Sequence, residues 1–199
     1  MQPHTAVPAL TQDAPTRGFL LFNVLGFQAV WFAWAWGAPA EQALWPAIAS
    51  VCFIAVHGWL TPKRRRDAAA VLLCVAAGVV FDTALMQADL LRFALPNPTP
   101  FDTMEPLWMM GLWACLGCTL HTGLGWLQRW RVAAYPVCAV FGWVSYEAAH
   151  RLGALTLSDD AVCVASLLVF WGVFIPWVQK LSNWLGRARS PAHDPQVQA

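Results

Sequence analysis

Charged side chains are scarce in this sequence. Asp, Glu, Lys and Arg make up only 12 % of its 199 residues, whereas apolar residues make up 58 %. Soluble globular proteins contain roughly 25 % charged residues, so an ordinary water-soluble domain is excluded. The net charge of +1 also lacks the positive excess that nucleic-acid binding needs. We therefore expect a membrane protein without a nucleic-acid partner.

Common catalytic signatures are absent as well. The sequence contains no glycine-rich phosphate loop, no Gly-x-Ser-x-Gly elbow and no His-Glu-x-x-His motif, so nucleotide-driven transport by this chain alone is not expected. All six cysteines fall inside apolar segments, where none is placed to form an extracellular disulfide. Cys115 and Cys118 have the spacing of a redox pair, but their apolar surroundings favour a packing role.

Long hydrophobic runs, in contrast, are abundant. A helix needs about 20 apolar residues to cross a membrane, and the sequence contains six segments of about that length. They cover residues 18–38, 42–61, 68–88, 107–127, 132–152 and 161–181. We predict an all-α, polytopic membrane bundle of about six transmembrane helices over residues 18–185. Residues 1–17 and 186–199 are expected to be mobile tails.

The basic residues favour one orientation of this bundle. Cytoplasmic loops of membrane proteins carry an excess of Lys and Arg. If both termini are cytoplasmic, only Arg92 and Arg151 lie on the outer side. The other ten of the 12 basic residues are then inside: Arg17, Lys63, Arg64, Arg65, Arg66, Arg129, Arg131, Lys180, Arg187 and Arg189. We therefore expect a multi-pass protein of a cytoplasmic membrane with both termini inside.

The longest joint between segments, residues 89–106, contains four prolines that exclude a continuous helix. We expect it to form a stiff loop over the outer face of the bundle. Six carboxylates are expected to lie on that outer side: Glu41, Asp89, Asp102, Glu105, Asp159 and Asp160.

Two carboxylates fall within the predicted spans instead, where ionisable groups are costly and commonly functional. At a rise of 1.5 Å per residue, Asp82 lies about 22 Å from Asp67 along the third span, and Glu147 lies about 24 Å from Arg131 along the fifth. Both therefore lie at one level in the outer third of the membrane. Asp82, Glu147 and the neighbouring Tyr146 are the candidate catalytic residues, acting as proton-handling groups.

Other interpretations of this layer stay open. Glu147 and His150 have the i, i+3 spacing found in carboxylate-bridged metal sites, and Asp82 is the only further ligand at that depth. The simpler interpretation is an ion pair between Glu147 and Arg151, with Asp82 accepting a hydrogen bond from another helix. We favour this interpretation and predict no metal site.

A second polar layer is predicted towards the cytoplasm. His57 and His121 lie about 9 and 12 Å from the inner ends of their spans, and Asn23 lies near the same level. Two imidazoles at one depth are candidate axial ligands of a haem, or ligands of a lipid headgroup, so these three residues are the candidate cofactor-binding set. The alternative is that each imidazole hydrogen-bonds a carbonyl group or Asn23 across the bundle. The sequence does not identify a cofactor.

Two blocks carry a resemblance to a known family. The first is Asn23-x4-Gln28-x2-Trp31, and the second is Gly142-x2-Ser145-Tyr146 followed by Leu152-Gly153-Ala154-Leu155. With them, the chain resembles a family of bacterial inner-membrane proteins that is known as a domain of unknown function. The resemblance implies a multi-pass protein of the bacterial cytoplasmic membrane and brings no established activity. It also implies an association with lipid-modifying and redox enzymes of the membrane.

Three functions are compatible with these patterns. The first is an enzyme or enzyme subunit that handles a membrane-dissolved molecule such as a lipid or a quinone. The second is a scaffold or accessory subunit whose polar residues only join helices, and the third is a small proton-coupled transporter. We rank the enzyme or enzyme subunit first, with membrane lipid as its expected partner.

Overall fold

The computed structural model describes residues 15–130 and 132–187. The predicted tails at 1–17 and 186–199 therefore lie almost entirely outside the described residues. The elements in chain order are α1 (Arg17–Gly37), α2 (Leu44–Leu60), α3 (Arg64–Gln87), β1 (Leu91–Phe93), α4 (Leu107–Thr119), a 3-10 helix (Gly125–Arg129), α5 (Ala134–Arg151), β2 (Leu155–Leu157) and α6 (Ala161–Arg187). The predicted all-α class is confirmed, since each α-helix falls within or close to one of the six apolar segments.

Three of the helices are long and apolar enough to cross a membrane: α1, α3 and α6. Large apolar side chains project outward from them, such as Leu72 (70 % exposed), Val80 (71 % exposed) and Val169 (68 % exposed). An apolar surface of this kind is unfavourable in water and favourable in lipid. The helices α2 and α4 are apolar but shorter. Six spans therefore remain a prediction.

The helices alternate in direction between two ends of the bundle. At one end, which we call the basic end, Phe19 at the start of α1 contacts His57 near the end of α2, with ring centroids 5.3 Å apart. Arg66 at the start of α3 packs against Gly186 at the end of α6. At the opposite end, which we call the strand end, β1 pairs with β2. Arg17, Arg66 and Arg187, three of the predicted inner basic residues, thus share this end.

Packing within the bundle leaves α1 and α5 on either side of a gap. The helices α1, α2 and α4 pack together, α3 packs against α4 and α6, and α6 packs against α5. The core between α1, α2 and α4 contains Val30, Trp34, Phe53 and Cys115. The thiols of Cys115 and Cys118 are buried in this core, in agreement with the predicted packing role.

The two strands were not predicted. Leu91 pairs with Leu157, and Phe93 pairs with Leu155, in an antiparallel ladder. Leu91, Phe93 and Leu155 are buried, whereas Arg92 between them is exposed. This alternation with period 2 covers only three residues per strand, which is too short to distinguish from a loop in the sequence. The predicted loop over residues 89–106 therefore begins with a strand.

The fourth predicted span, 107–127, is not one helix. The helix α4 ends at Thr119, and residues 120–124 form turns before the 3-10 helix. The predicted span was wrong here because it was based on mean hydropathy alone. Residues 122–125 are Thr-Gly-Leu-Gly, and their two glycines weaken a helix although the segment is apolar. At Gly123, moreover, a Cβ atom would lie only 2.9 Å from the Asn23 side chain.

The backbone groups freed by this break are bound by two side chains from other helices. Asn23 of α1 donates to the carbonyl of Cys118 (3.3 Å) and accepts from the amide of Gly123 (2.9 Å). Gln179 of α6 donates to the carbonyls of Leu120 (2.6 Å) and Leu124 (3.0 Å). Irregular backbone at membrane depth is tolerated only where such partners replace water, so both amide side chains stabilise the break.

Candidate functional site

Asp82 lies at the centre of the outer polar layer. Its side chain is fully buried, and two helices donate hydrogen bonds to it. The Tyr146 hydroxyl of α5 donates to Oδ1 at 2.6 Å, and the Trp113 indole of α4 donates to Oδ2 at 2.9 Å. The structure therefore brings together two of the three predicted catalytic residues, Asp82 and Tyr146. Asp82 also accepts hydrogen bonds from other helices, as the simpler interpretation of this layer predicts.

Glu105 joins Asp82 from the loop before α4. It was expected on the outer side, and it lies at the strand end, but its side chain is folded into the bundle and only 1 % of it is exposed. The loop folds inward because the Glu105 amide donates to Thr83 Oγ1 (3.1 Å), next to Asp82 on α3. On its other side, the carbonyl of Glu105 accepts from Asn97 Nδ2 (3.0 Å). Sequence analysis did not identify Glu105 as a site residue, because it lies in the polar joint just before the apolar segment that begins at Leu107.

The carboxyl group of Glu105 is close enough to Asp82 for the two side chains to interact. Neither carboxyl oxygen of Glu105 has a hydrogen-bond partner among the described residues. Burial and the charge of Asp82 raise the pKa of Glu105 from 4.5 to about 9. Burial and the neighbouring carboxylate thus both favour the protonated form of this carboxyl group.

Two glycines make room for the tryptophans that surround this site. A Cβ atom at Gly78 would overlap the indole of Trp113, and one at Gly142 would overlap the indole of Trp171. The two indoles stack between these glycines, with centroids 5.1 Å apart and planes inclined by 15°. Gly78 precedes Asp82 by one helical turn, and Gly142 precedes Tyr146 by one turn. Gly142 of the Gly-x2-Ser-Tyr block thus lets the Trp171 indole pack one turn away from Tyr146.

A cavity of about 420 Å³ adjoins Asp82 on the side of α1 and α5, and we call it the lateral groove. Its walls are largely apolar and aromatic, which is typical of sites for small organic molecules. Tyr146 and Trp113 line it and separate it from Asp82. Along α5 it runs from Val137 to Ala148, which is about 16 Å at 1.5 Å per residue. The lining also includes Gln28, Trp31, Leu124, Trp126, Phe141, Val144, Ser145 and Trp171.

The rim of the lateral groove is exposed and apolar. Phe141 is 69 % exposed and Val144 is 44 % exposed on α5, and Trp126 of the 3-10 helix is 41 % exposed. A rim of this composition matches the hydrocarbon of a membrane better than water. Gln28 of α1 and Ser145 of α5 add polar groups to the lining.

Glu147, the third predicted catalytic residue, has a different partner. Its carboxylate accepts from Arg151 Nε at 2.7 Å, and the arginine side chain is 77 % exposed. His150 accepts from the amide of Leu157 at 3.2 Å and so supports β2. The structure thus contains the predicted alternative, an ion pair of Glu147 with Arg151, and it does not bring Glu147 into contact with the Asp82 carboxyl group.

The predicted cofactor-binding residues form two separate networks near the basic end. Asn23 donates to His57 Nδ1 at 3.1 Å. His57 Nε2 lies 3.3 Å from Asp67, which is within ion-pair distance but outside hydrogen-bond geometry. In the second network, His121 Nε2 contacts Ser182 Oγ at 2.8 Å and Nδ1 accepts from Gln128 at 3.2 Å.

Each ring nitrogen of the two imidazoles therefore faces a protein group. This arrangement favours the hydrogen-bonding interpretation over axial ligation of a haem, since a ligating nitrogen must point at the metal. Within residues 15–130 and 132–187, no group of three or more His, Cys, Asp or Glu side chains is arranged to hold a metal ion.

The fold and the site define a helical protein with membrane-length helices and a buried carboxyl centre beside an apolar groove. The chain belongs to a family described as protein of unknown function DUF2878, whose model matches residues 20–177. The matched part includes Asp82, Glu105, Tyr146 and the lateral groove. No curated protein and no solved structure matches the chain.

Proposed function

We propose that the protein is a multi-pass protein of the bacterial cytoplasmic membrane with six spans and both termini inside. Three helices of sufficient length and the exposed apolar side chains on them support insertion in a membrane. The alternating helix directions support an even number of crossings. The shorter α4 crosses with the help of the turns that continue it, since Asn23 and Gln179 bind the backbone after α4.

We further propose that the lateral groove holds a membrane-dissolved amphiphile, such as a lipid or a quinone, as an enzyme or enzyme subunit would. The observation that carries this proposal is the position of Tyr146 in the wall of an apolar cavity of about 420 Å³, hydrogen-bonded to the buried Asp82. An apolar chain enters from the lipid past Phe141 and Val144. Its polar end then meets Tyr146, which hydrogen-bonds Asp82, and Ser145, which also lines the groove.

Residue roles follow from this arrangement. Tyr146 donates to or accepts from the polar end of the bound molecule, and Asp82 orients the tyrosine hydroxyl and takes part in proton transfer through it. Glu147 is not needed in this mechanism, because its carboxylate pairs with Arg151. The natural partners of such a protein are membrane lipid and the lipid-modifying or redox enzymes of the same membrane.

Native mass spectrometry of the gently solubilised protein tests the proposal. We expect a retained lipid or quinone on the wild-type chain and its loss from Ser145→Phe, whose ring fills the groove. The matched control is Val140→Phe on the same helix, because Val140 is 51 % exposed and is not part of the groove lining. A bare wild-type polypeptide, or equal retention by both variants, contradicts the proposal and favours a scaffold.

The break after α4 favours a second candidate, a proton-coupled transporter. Transporter helices are commonly interrupted where they line a binding site, and Leu124 and Trp126 beyond the break line the lateral groove. Reconstitution in liposomes distinguishes the two functions. A pH-dependent flux that Asp82→Asn abolishes supports transport, whereas a bound amphiphile without flux supports the first function.

A further inference from the structure

Glu105 and Asp82 form a pair of carboxyl groups with unusual surroundings. Glu105 comes from a loop and Asp82 from the last third of α3, and both are fully or almost fully buried, at 1 % and 0 % exposure. Asp82 has two hydrogen-bond donors, Tyr146 and Trp113. The two oxygens of Glu105 have none among the described residues, although an ionised carboxylate needs several.

Among the side chains that the structure describes, no cation acts on the pair. The polar groups that interact with the pair are the Tyr146 hydroxyl from α5 and the Trp113 indole from α4, and the two carboxyl groups also interact with each other. On the neighbouring strand, Arg92 pairs with the exposed Asp89 instead. Two negative charges in an apolar site without a cation are strongly unfavourable, and one proton shared by both groups removes one of these charges.

We infer that Asp82 and Glu105 form a proton-binding site that holds one shared proton at neutral pH, with Tyr146 as its connection to the lateral groove. The proton supplies the donor that the oxygens of Glu105 otherwise lack. Asp82 stays the negative member of the pair because Tyr146 and Trp113 stabilise its charge.

The connection to the groove is a balanced transfer of one proton. The shared proton moves from Glu105 to Asp82, and the O–H bond of Tyr146 breaks towards a basic oxygen of the molecule in the groove. The proton on Asp82 then forms a new O–H bond with the tyrosine oxygen. One proton thereby leaves the pair, both carboxyl groups stay ionised until the pair binds another proton, and no group is oxidised or reduced. The destination of this proton rests on the proposed function, whereas the shared proton itself does not.

Infrared spectroscopy of the ligand-free protein in water and in D2O tests the pair directly. We expect one protonated carboxyl band per chain at pH 7, which shifts in D2O and disappears in Glu105→Gln. Asp102→Asn, an exposed carboxylate in the same loop, is the matched control and leaves the band unchanged. Absence of the band from the wild-type protein at pH 7 overturns the inference, as does a band that persists unchanged in Glu105→Gln.

Titration of the same band tests the link through Tyr146. Tyr146→Phe removes a donor that stabilises the negative charge, so the midpoint of the band moves to higher pH. Asp82→Asn removes that charge itself, so the midpoint moves to lower pH. Tyr135→Phe is the control, since this exposed tyrosine contacts Lys180 near the other end of α5. A midpoint that Tyr146→Phe does not move contradicts the link.

These measurements need no bound molecule. If native mass spectrometry finds the groove without a ligand and the carboxyl band behaves as expected, the proposed amphiphile is wrong and the proton site stands. If a ligand is retained and the band is absent, the proton site is wrong and the proposed function stands.

Discussion

Individual residues take part in this structure mainly by binding groups on other helices. Asn23 alone contacts the imidazole of His57, the carbonyl of Cys118 and the amide of Gly123. Asp82 similarly joins α3 to α4 and α5 through Trp113 and Tyr146. In a membrane these contacts replace water as hydrogen-bond partners, so each polar residue within the bundle ties together elements that are distant in the chain.

Glu105 leads to a prediction about pH. Because its pKa is raised from 4.5 in the unfolded chain to about 9 in the folded protein, the folded state binds a proton more tightly. Its contribution to stability is therefore fully present below pH 4.5 and is lost as the pH rises through 9. We expect the thermal unfolding midpoint in detergent to fall over this interval, and Glu105→Gln to flatten the fall. An Asp102→Asn variant should follow the wild-type curve, and an equal slope in Glu105→Gln would refute the prediction.

At the scale of elements, small residues determine how closely the helices approach. A Cβ atom at Gly117 of α4 would lie 2.5 Å from the Cα atom of Val71 on α3, so these helices meet backbone to backbone. Gly78 and Gly142 instead accept the indoles of Trp113 and Trp171. The polar site depends on this packing, since Trp113 is the donor to Asp82 and Gly142 lies one turn below Tyr146.

Substitution of these glycines gives a second prediction. Gly142→Ala forces a methyl group into the Trp171 indole, and overpacking of this kind costs about 1–3 kcal/mol of unfolding free energy. Gly111→Ala in α4 is the matched control, because a Cβ atom there meets nothing within 4 Å. Without a clash, alanine favours a helix by roughly 0.5–1 kcal/mol, so the control should be neutral or stabilising. Denaturation in mild detergent measures both, and a Gly142→Ala variant as stable as Gly111→Ala disproves the packing argument.

Over the whole molecule, charge and packing divide the bundle into two different ends. The basic end holds Arg17, the Lys63–Arg66 cluster and Arg187, together with the networks of His57 and His121. The strand end holds the proline-rich loop, the paired β1 and β2, and the inward-folded Glu105. The lateral groove extends between these ends, and the carboxyl pair lies behind its Tyr146 and Trp113 wall, towards the strand end.

This division predicts the membrane topology. Alkaline phosphatase, which is active only outside the cytoplasm, should be inactive when it is fused after Arg187 and active when it is fused within residues 97–102. The reason is that basic segments are retained in the cytoplasm. A cytoplasmic reporter such as a fluorescent protein that matures only inside provides the control and should show the opposite pattern. Activity of the phosphatase at both positions would contradict the prediction, because three spans between the two sites must place them on opposite sides of the membrane.

The sequence determined the class of the protein and the depth of its polar residues. Hydropathy located the six α-helices of the described residues, because a segment that lies in lipid must be apolar along its length, and helical rise placed Asp82 level with Glu147 and its neighbour Tyr146. The ion pair of Glu147 with Arg151 could also be predicted from the sequence, since an i, i+4 contact lies within one helix. Local periodicity is therefore sufficient for features contained in a single element.

Only the tertiary structure decided which residues meet. Glu105 reaches Asp82 because Thr83 and Asn97 hold the loop from both sides, and Asn23 reaches the break after α4 across the bundle. The pairing of β1 with β2 likewise joins segments more than 60 residues apart. Such contacts depend on helix adjacency and rotation, and hydropathy carries neither, because a lipid-facing side chain and a core side chain are equally apolar.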